Sequence, residues 1–203
     1  DKYISCSSNI SCTRLARYLH DNKQSGYEFL YGIPGTIAGA VSMNAGAFER
    51  EIMPYVHSLD LLDENGMIYT LKNNEMSYSY RTSHIDKKSI IISVKLLKQT
   101  SNFDMNLLNL LNEKRKISQP INQLSCGCIF KNPSGYHAAK LIDSAQLKGS
   151  RAGGIYISHK HSNYFINDGS GTYKDFLVLL RRVKEVIIYR FNVNLVEEVI
   201  LLK

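Results

Sequence analysis

The segment Gly32-Ile33-Pro34-Gly35-Thr36-Ile37-Ala38-Gly39-Ala40, followed closely by Met43-Asn44-Ala45-Gly46-Ala47, constrains this chain more than any other. Its side chains are too small to fill a core, and its glycines recur too regularly for a flexible linker. Such a run lets something approach the backbone. Glycines that admit a flat or phosphorylated ligand, beside amides that donate to it, would make a cofactor loop; the alternative is a tight turn with close helix packing. The spacing is neither G-x-G-x-x-G nor that of a P-loop, so the pattern alone leaves both open.

The chain has 203 residues, 44% hydrophobic and 21% charged, with 4 Pro. That suffices for one large domain or two small ones and excludes a disordered tail or a collagen-like chain. The longest apolar candidate for a span, Phe176 to Leu180, runs at once into Arg181 and Arg182, far short of the roughly 20 residues a membrane crossing needs, so no membrane insertion is expected. A net charge of +7 and a pI near 9.2 favour an anionic partner. The basic residues are scattered in ones and twos without an aromatic stripe among them, which argues against nucleic acid. Cys6, Cys12, Cys126 and Cys128 match no common zinc spacing, so no metal is expected. In a chain able to build its own core they suggest free thiols and the cytoplasm. The opening Asp1-Lys2-Tyr3, with neither Met nor a leader, is that of a fragment or processed form.

Leu15, Ala16, Tyr18 and Leu19 at helical spacing, with Ser11 or Thr13 as cap and Gly26 beyond, predict a short helix. Val56 to Leu62 and Met67 to Leu71 flank Glu64-Asn65-Gly66 and predict a hairpin. The β-branched run Ser89 to Leu97 predicts a strand buried on both faces. Residues 101–118, rich in Leu and ending in Lys114-Arg115-Lys116, predict a helix with cations against its negative end. Beyond a junction near Pro120 come an irregular segment at 125–135, a helix near 136–146, and strands around 154–158 and 163–167. A long helix capped by Thr172 then reaches about Arg190, and Leu195 to Leu202 forms a final strand. Mixed elements in this order predict an α+β fold.

Four further segments could carry chemistry. In Ser77-Tyr78-Ser79-Tyr80-Arg81-Thr82-Ser83, the Arg81 fork could clamp a carboxylate or phosphate, or be an ordinary solvated arginine. In Ser125-Cys126-Gly127-Cys128-Ile129-Phe130-Lys131-Asn132-Pro133, a thiol of ordinary pKa about 8.5 could act as general acid or nucleophile, or be a small buried hydrophobe. His159 and His161 would share one side of a strand, with no third metal ligand nearby. Glu197-Glu198 in the terminal strand would send one carboxylate to each face.

Six blocks in order, GIPGTIAGAVSMNAGAF, YSYRTS, SCGCIFKNPSG, HAAKLIDSAQLKG, HSNYFIN and FNVNLVEEVILL, are spread along the chain from residue 32 to residue 202. Together they resemble the UDP-N-acetylenolpyruvoylglucosamine reductases, flavoenzymes of peptidoglycan precursor synthesis. The resemblance implies that NADPH reduces bound FAD, whose hydride then passes to the enolpyruvyl double bond of a UDP-sugar to give UDP-N-acetylmuramate. It implies Cys128 as proton donor where the family often has Ser, Arg81 countering the developing charge, and Glu198 as hydrogen-bonding or acid partner. It places Gly32, Ile33, Pro34, Gly35, Thr36, Asn44, Ala45 and Gly46 at the flavin, and Tyr80, Lys131, Asn132, His161 and Asn163 at the substrate.

It further implies residues 1–100 as the second part of an FAD-binding unit, a mixed sheet with helices, and residues 101–203 as a smaller α+β substrate-binding domain. The chain would open after the family's amino-terminal domain and act as a monomer. Ala38 replaces a usual Gly and Phe48 a common Tyr, and the segment from Arg81 to Ser89 is short, as in the shorter branch of the family. Two other readings fit parts of the pattern: a thiol hydrolase built on Cys128 with His159 or His161, and a non-catalytic anion or nucleotide-sugar binding module.

Overall fold

The computed structural model describes residues 2–99 and 104–202. They form two compact units, 1–114 and 115–203. No helix among the described residues is long and apolar enough to cross a membrane.

The first unit contains β1 (Tyr3–Ser7), α1 (Cys12–Asp21), α2 (Ile37–Ser42), β2 (Gly46–Ala47), β3 (Arg50–Glu51), β4 (Val56–Leu62), β5 (Ile68–Lys72), β6 (Tyr78–Ser79), β7 (Thr82–Ser83) and β8 (Ile90–Leu97). Strands β1, β8, β4 and β5 lie in that order in one sheet. Its ladders are antiparallel throughout, so the mixed sheet expected here is not seen among the described strands. Ser11 caps α1 by accepting from the Arg14 amide, and Cys12, Leu15, Ala16 and Leu19 face inward. Each fully buried Leu contributes roughly 1.5–3 kcal/mol. Tyr18, counted above with the apolar face, is instead 60% exposed, because it lies one residue off the buried stripe.

The hairpin forms as read. Gly66 turns at φ +79, and the Asp63 carboxylate accepts from the amides of Asn65 and Met67. Strand β8 departs from its expectation. Ile91, Val94 and Leu96 are buried while Ile90 and Lys95 are exposed. It is a central strand with one covered face, as befits an antiparallel sheet. On the other face Asp60 accepts from Thr70 and Ser93 across three strands, and these hydrogen bonds hold its carboxyl below the usual range.

The unit boundary falls within α3 (Leu107–Ser118). The 101–103 part of the helix expected at 101–118 lies outside the described residues, and Asp104 precedes the helix by bonding the Asn106 amide. The second unit continues with α4 (Ala138–Ser144), β9 (Arg151–Ala152), β10 (Ile155–Ile157), β11 (Phe165–Asn167) and α5 (Tyr173–Phe191). The last three strands form an antiparallel sheet against which α5 packs. Thr172 caps α5 in a reciprocal box with Asp175, and Asn192 closes the helix in the left-handed region. Leu179, Leu180, Val183 and Ile187 bury its inner stripe.

The final strand expected at 195–202 is absent. Residues 196–198 make only a short bridge, with the Lys131 amide donating to Val196 and the Glu198 amide to Ile129. Their neighbour, residues 129–131, is itself irregular and offers no longer ladder. The two histidines likewise lie in the bends between β10 and β11, not on a strand, because Ser158 and His161 close a turn there. The α+β class holds for both units.

Candidate functional site

In the first unit the chain leaves a short 3-10 turn at Glu28–Leu30 and enters the Gly-rich segment. Gly32, Pro34 and Gly35 are exposed. Gly35 sits at φ +110, and a methyl group in place of its hydrogen would meet nothing within 4 Å. This glycine serves a left-handed backbone facing open space. Thr36 caps α2 by accepting from the Gly39 amide. Among the described residues the amides of Gly35 and Thr36 have no protein acceptor. An exposed, small-sided turn with amides to donate fits a flat or phosphorylated group such as a flavin nucleotide.

The second half of the segment is built differently. Asn44, 0% exposed and at φ +48, sends Nδ2 to Glu51 Oε2 (2.8 Å) and the Ser79 carbonyl (2.9 Å), while its Oδ1 accepts from the Met53 amide. A methyl group on Gly46 would meet the Arg50 carbonyl at 2.1 Å and Arg81 Nη1 at 2.9 Å. The glycine is therefore required by the β2–β3 pairing and by Arg81 themselves. Arg81 occupies the two-residue turn between β6 and β7 at φ +54. It donates Nη2 to the Gly46 carbonyl (2.7 Å), pairs with Glu51 at 3.7 Å and stacks 4.9 Å over the exposed Tyr80 ring. Glu51 thus links Asn44 to Arg81. Nothing in the sequence marks that role, since the residues it joins are 7 and 30 positions away.

In the second unit, residues 128–131 lie between two other segments. On one side Cys128 bridges Tyr164, and Ile129 donates to the Asn163 carbonyl. On the other, Phe130 bridges Glu197 and Ile129 accepts from Glu198. The side chain of Asn163, 3% exposed, is fully engaged: Oδ1 accepts from the Phe130 amide (3.0 Å) and Nδ2 donates to the Phe130 carbonyl (2.8 Å). The result brings Cys128, Tyr164 and Glu198 together. Burial, first, and then the charges of Cys128 and Glu198 push the Tyr164 phenol above its usual range, against the opposing Arg115. Its hydroxyl also shares a side-chain hydrogen bond with Cys128.

Gly127 turns at φ +85, so Cys126 lines a separate cleft of about 560 Å³ with Leu124, Ile155, Phe165 and Phe176. Asn132 is exposed, and its Oδ1 caps α4 by accepting from the Ala138 amide. Lys131 is half-buried. His161 packs edge-on against Tyr164 at 4.8 Å, and its Nδ1 accepts from the Asn163 amide. Burial lowers its pKa, assisted by the Lys148 charge and opposed by a backbone hydrogen bond. Of the terminal pair, Glu197 turns to Lys184 on α5 at 2.7 Å. Burial opposes its charge, but the lysine's hydrogen bond prevails and holds the carboxyl below its usual range. Tyr164 carries no signal of its own in the sequence, and only its pairing with Cys128 singles out the phenol.

A model of the FAD-binding domain matches residues 1–72, so fold and turn define a flavoprotein of the α+β class. The model for the carboxy-terminal domain of UDP-N-acetylenolpyruvoylglucosamine reductase matches residues 119–202. The reductase of that name from Caldanaerobacter subterraneus subsp. tengcongensis is 38% identical over 199 residues, covering 97% of this chain and 66% of its own length. That from Clostridium tetani is 37% identical, covering 100% and 67%. The crystal structure of the Thermus caldophilus reductase superposes with a TM-score of 0.79 at 31% identity, over 92% of this chain and 68% of that one. The chain belongs to the UDP-N-acetylenolpyruvoylglucosamine reductase family. It spans about two thirds of the length of the curated relatives it matches.

Proposed function

We propose that this chain reduces the enolpyruvyl group of UDP-N-acetylglucosamine enolpyruvate to UDP-N-acetylmuramate, with FAD and NADPH, in peptidoglycan precursor synthesis. When bound, FAD supplies the hydride relay between NADPH and the enolpyruvyl double bond. What remains for the protein is charge and a proton, because hydride addition to the far carbon leaves enolate character beside the carboxylate. Cys128 gives up its thiol proton to the carbon that bears the carboxylate, where the electron pair is left. Arg81 balances the charge with its guanidinium, and Glu198 is the carboxylate partner. The turn from Gly32 through Ile33, Pro34 and Gly35 to Thr36, with the backbone at Asn44, Ala45 and Gly46, holds the flavin. Tyr80, Lys131, Asn132 and His161 bind the UDP-sugar, while Asn163 acts from behind by fixing Phe130. Cys6, Cys12, Cys126 and Cys128 are joined in no disulfide among the described residues, which supports a reducing compartment, and the reading is completed by a cytoplasmic monomer.

The observation that supports this reading is the sharing of residues 128–131 between 163–164 and 196–198, in which the Glu198 amide donates to Ile129, the residue after Cys128. A thiol hydrolase is disfavoured by His161, whose Nδ1 lone pair is already taken by the Asn163 amide. Substrate-dependent NADPH oxidation, followed with this chain and with the complete gene product, tests the proposal. Oxidation that starts only on adding the UDP-sugar supports it. Thiol-dependent ester or amide cleavage without visible flavin absorbance would overturn it.

A further inference from the structure

Cys128 and Tyr164 stand directly opposite each other in an antiparallel bridge. Residues so placed carry their side chains on one face, with Cβ atoms roughly 4.5–5.5 Å apart. The pairing is held from both ends. Asn163 grips the next residues through the Ile129 and Phe130 amides and the Phe130 carbonyl. Tyr164 is fixed in turn, its amide donating to His161, its carbonyl accepting from Ser158, and its ring resting on the edge of the His161 imidazole.

We propose that Tyr164 is a positioning residue for the Cys128 thiol, holding the sulfur by its phenol hydroxyl and donating to the thiolate once the proton has left. The proposal rests on the reductase reading and deepens it. In the step concerned, the Sγ–H bond breaks as a C–H bond forms at the enolate carbon, whose electron pair takes up the proton. The sulfur keeps the electron pair of the broken bond and is reprotonated from water. A half-buried thiolate formed near the Glu198 carboxylate needs a donor, because like charges in a poorly solvated place repel strongly. The Tyr164 hydroxyl supplies one. Arg115, from the end of α3, adds positive charge on the same side of the balance. Burial and the neighbouring charges keep the phenol protonated through neutral pH, so it remains a hydrogen-bond donor and is not itself the proton source. The titratable and charged groups around the phenol are Cys128, Arg115 and Glu198, with His161 in ring contact and Lys148 acting on His161.

Tyr164→Phe removes the hydroxyl and keeps the ring. The pH dependence of iodoacetamide alkylation at Cys128, resolved from Cys126 by fragment mass spectrometry, reads the thiol directly in this chain. The midpoint should rise by about one pH unit, a tenfold loss of thiolate at a given pH, with the Cys126 profile and thermal midpoint unchanged. In the complete gene product, Tyr164→Phe should slow sugar reduction about tenfold while sparing flavin reduction by NADPH. It should slow nothing further in a Cys128→Ala background. An unmoved alkylation midpoint, or an equal loss in the Cys128→Ala background, would overturn the role of Tyr164 even if reductase activity is present. A shifted midpoint in a protein that never reduces the sugar would support the Tyr164–Cys128 coupling and bring down the reductase reading instead.

Discussion

The two units use their chemistry-bearing residues in opposite ways. In the first, most polar groups of the Gly-rich region and the Tyr-Arg turn are engaged with each other: Asn44 with Glu51, Ser79 and Met53, and Arg81 with Gly46 and Glu51. In the Gly32–Thr36 turn, by contrast, the amides of Gly35 and Thr36 have no protein acceptor among the described residues. In the second, Asn163 fastens Phe130 beside the Tyr164 segment, while the Glu198 amide donates to Ile129 from the other side. A binding surface can thus be made by backbone shape over a rigid polar lattice, whereas a proton-transfer cluster requires side chains brought together by separate segments.

The sharpest way to break this contrast is Cys128→Ala. It should slow sugar reduction by about 10²–10⁴-fold while leaving flavin reduction by NADPH intact, with Cys128→Ser retaining more than Ala. Stopped-flow measurement of the two half-reactions checks this, and equal losses in both would contradict the assignment.

Asn163→Ala tests the fastening. It leaves the buried Phe130 amide and carbonyl without partners and should lower stability to urea by about 2–4 kcal/mol. A loss below about 0.5 kcal/mol would show that water replaces the side chain.

A pair of glycine changes sharpens the first unit. Gly46→Ala forces a methyl against the Arg50 carbonyl and should destabilise the fold by about 1–3 kcal/mol. Gly35→Ala meets open space, so its effect should be confined to roughly 1–2 kcal/mol of backbone strain at φ +110 and to weaker flavin retention. Thermal melts and flavin absorbance separate them; the reverse pattern would exchange the roles assigned to the two glycines.

The gentlest effect is a pH slope. Burial, with the Cys12 charge adding to it, pushes the Cys6 thiol up from 9.0 to about 11. The unfolded chain therefore loses this proton first. Stability should be fully present below pH 9 and decline as pH rises toward 11. Cys6→Ala should flatten that slope in denaturant titrations at several pH values, and an unchanged slope would assign it to other groups, such as the buried Tyr27 phenol.

Several elements were legible because their causes are local. Asn65-Gly66 specifies a hairpin whichever sheet it joins, and Thr172 with Asp175 starts α5 using atoms three residues apart. The order of the six blocks likewise resides in the sequence, and it carries the resemblance to the family by itself. Tertiary structure alone decided that Leu195 to Leu202 makes no strand, that Ile90 is exposed, that Asn44 and Asn163 support the framework, and that Cys128 meets Tyr164 36 residues away. The physical reason is that turns and caps are satisfied by neighbouring atoms along the chain. Which distant backbone an irregular segment pairs with depends on the partners left open once the core has packed.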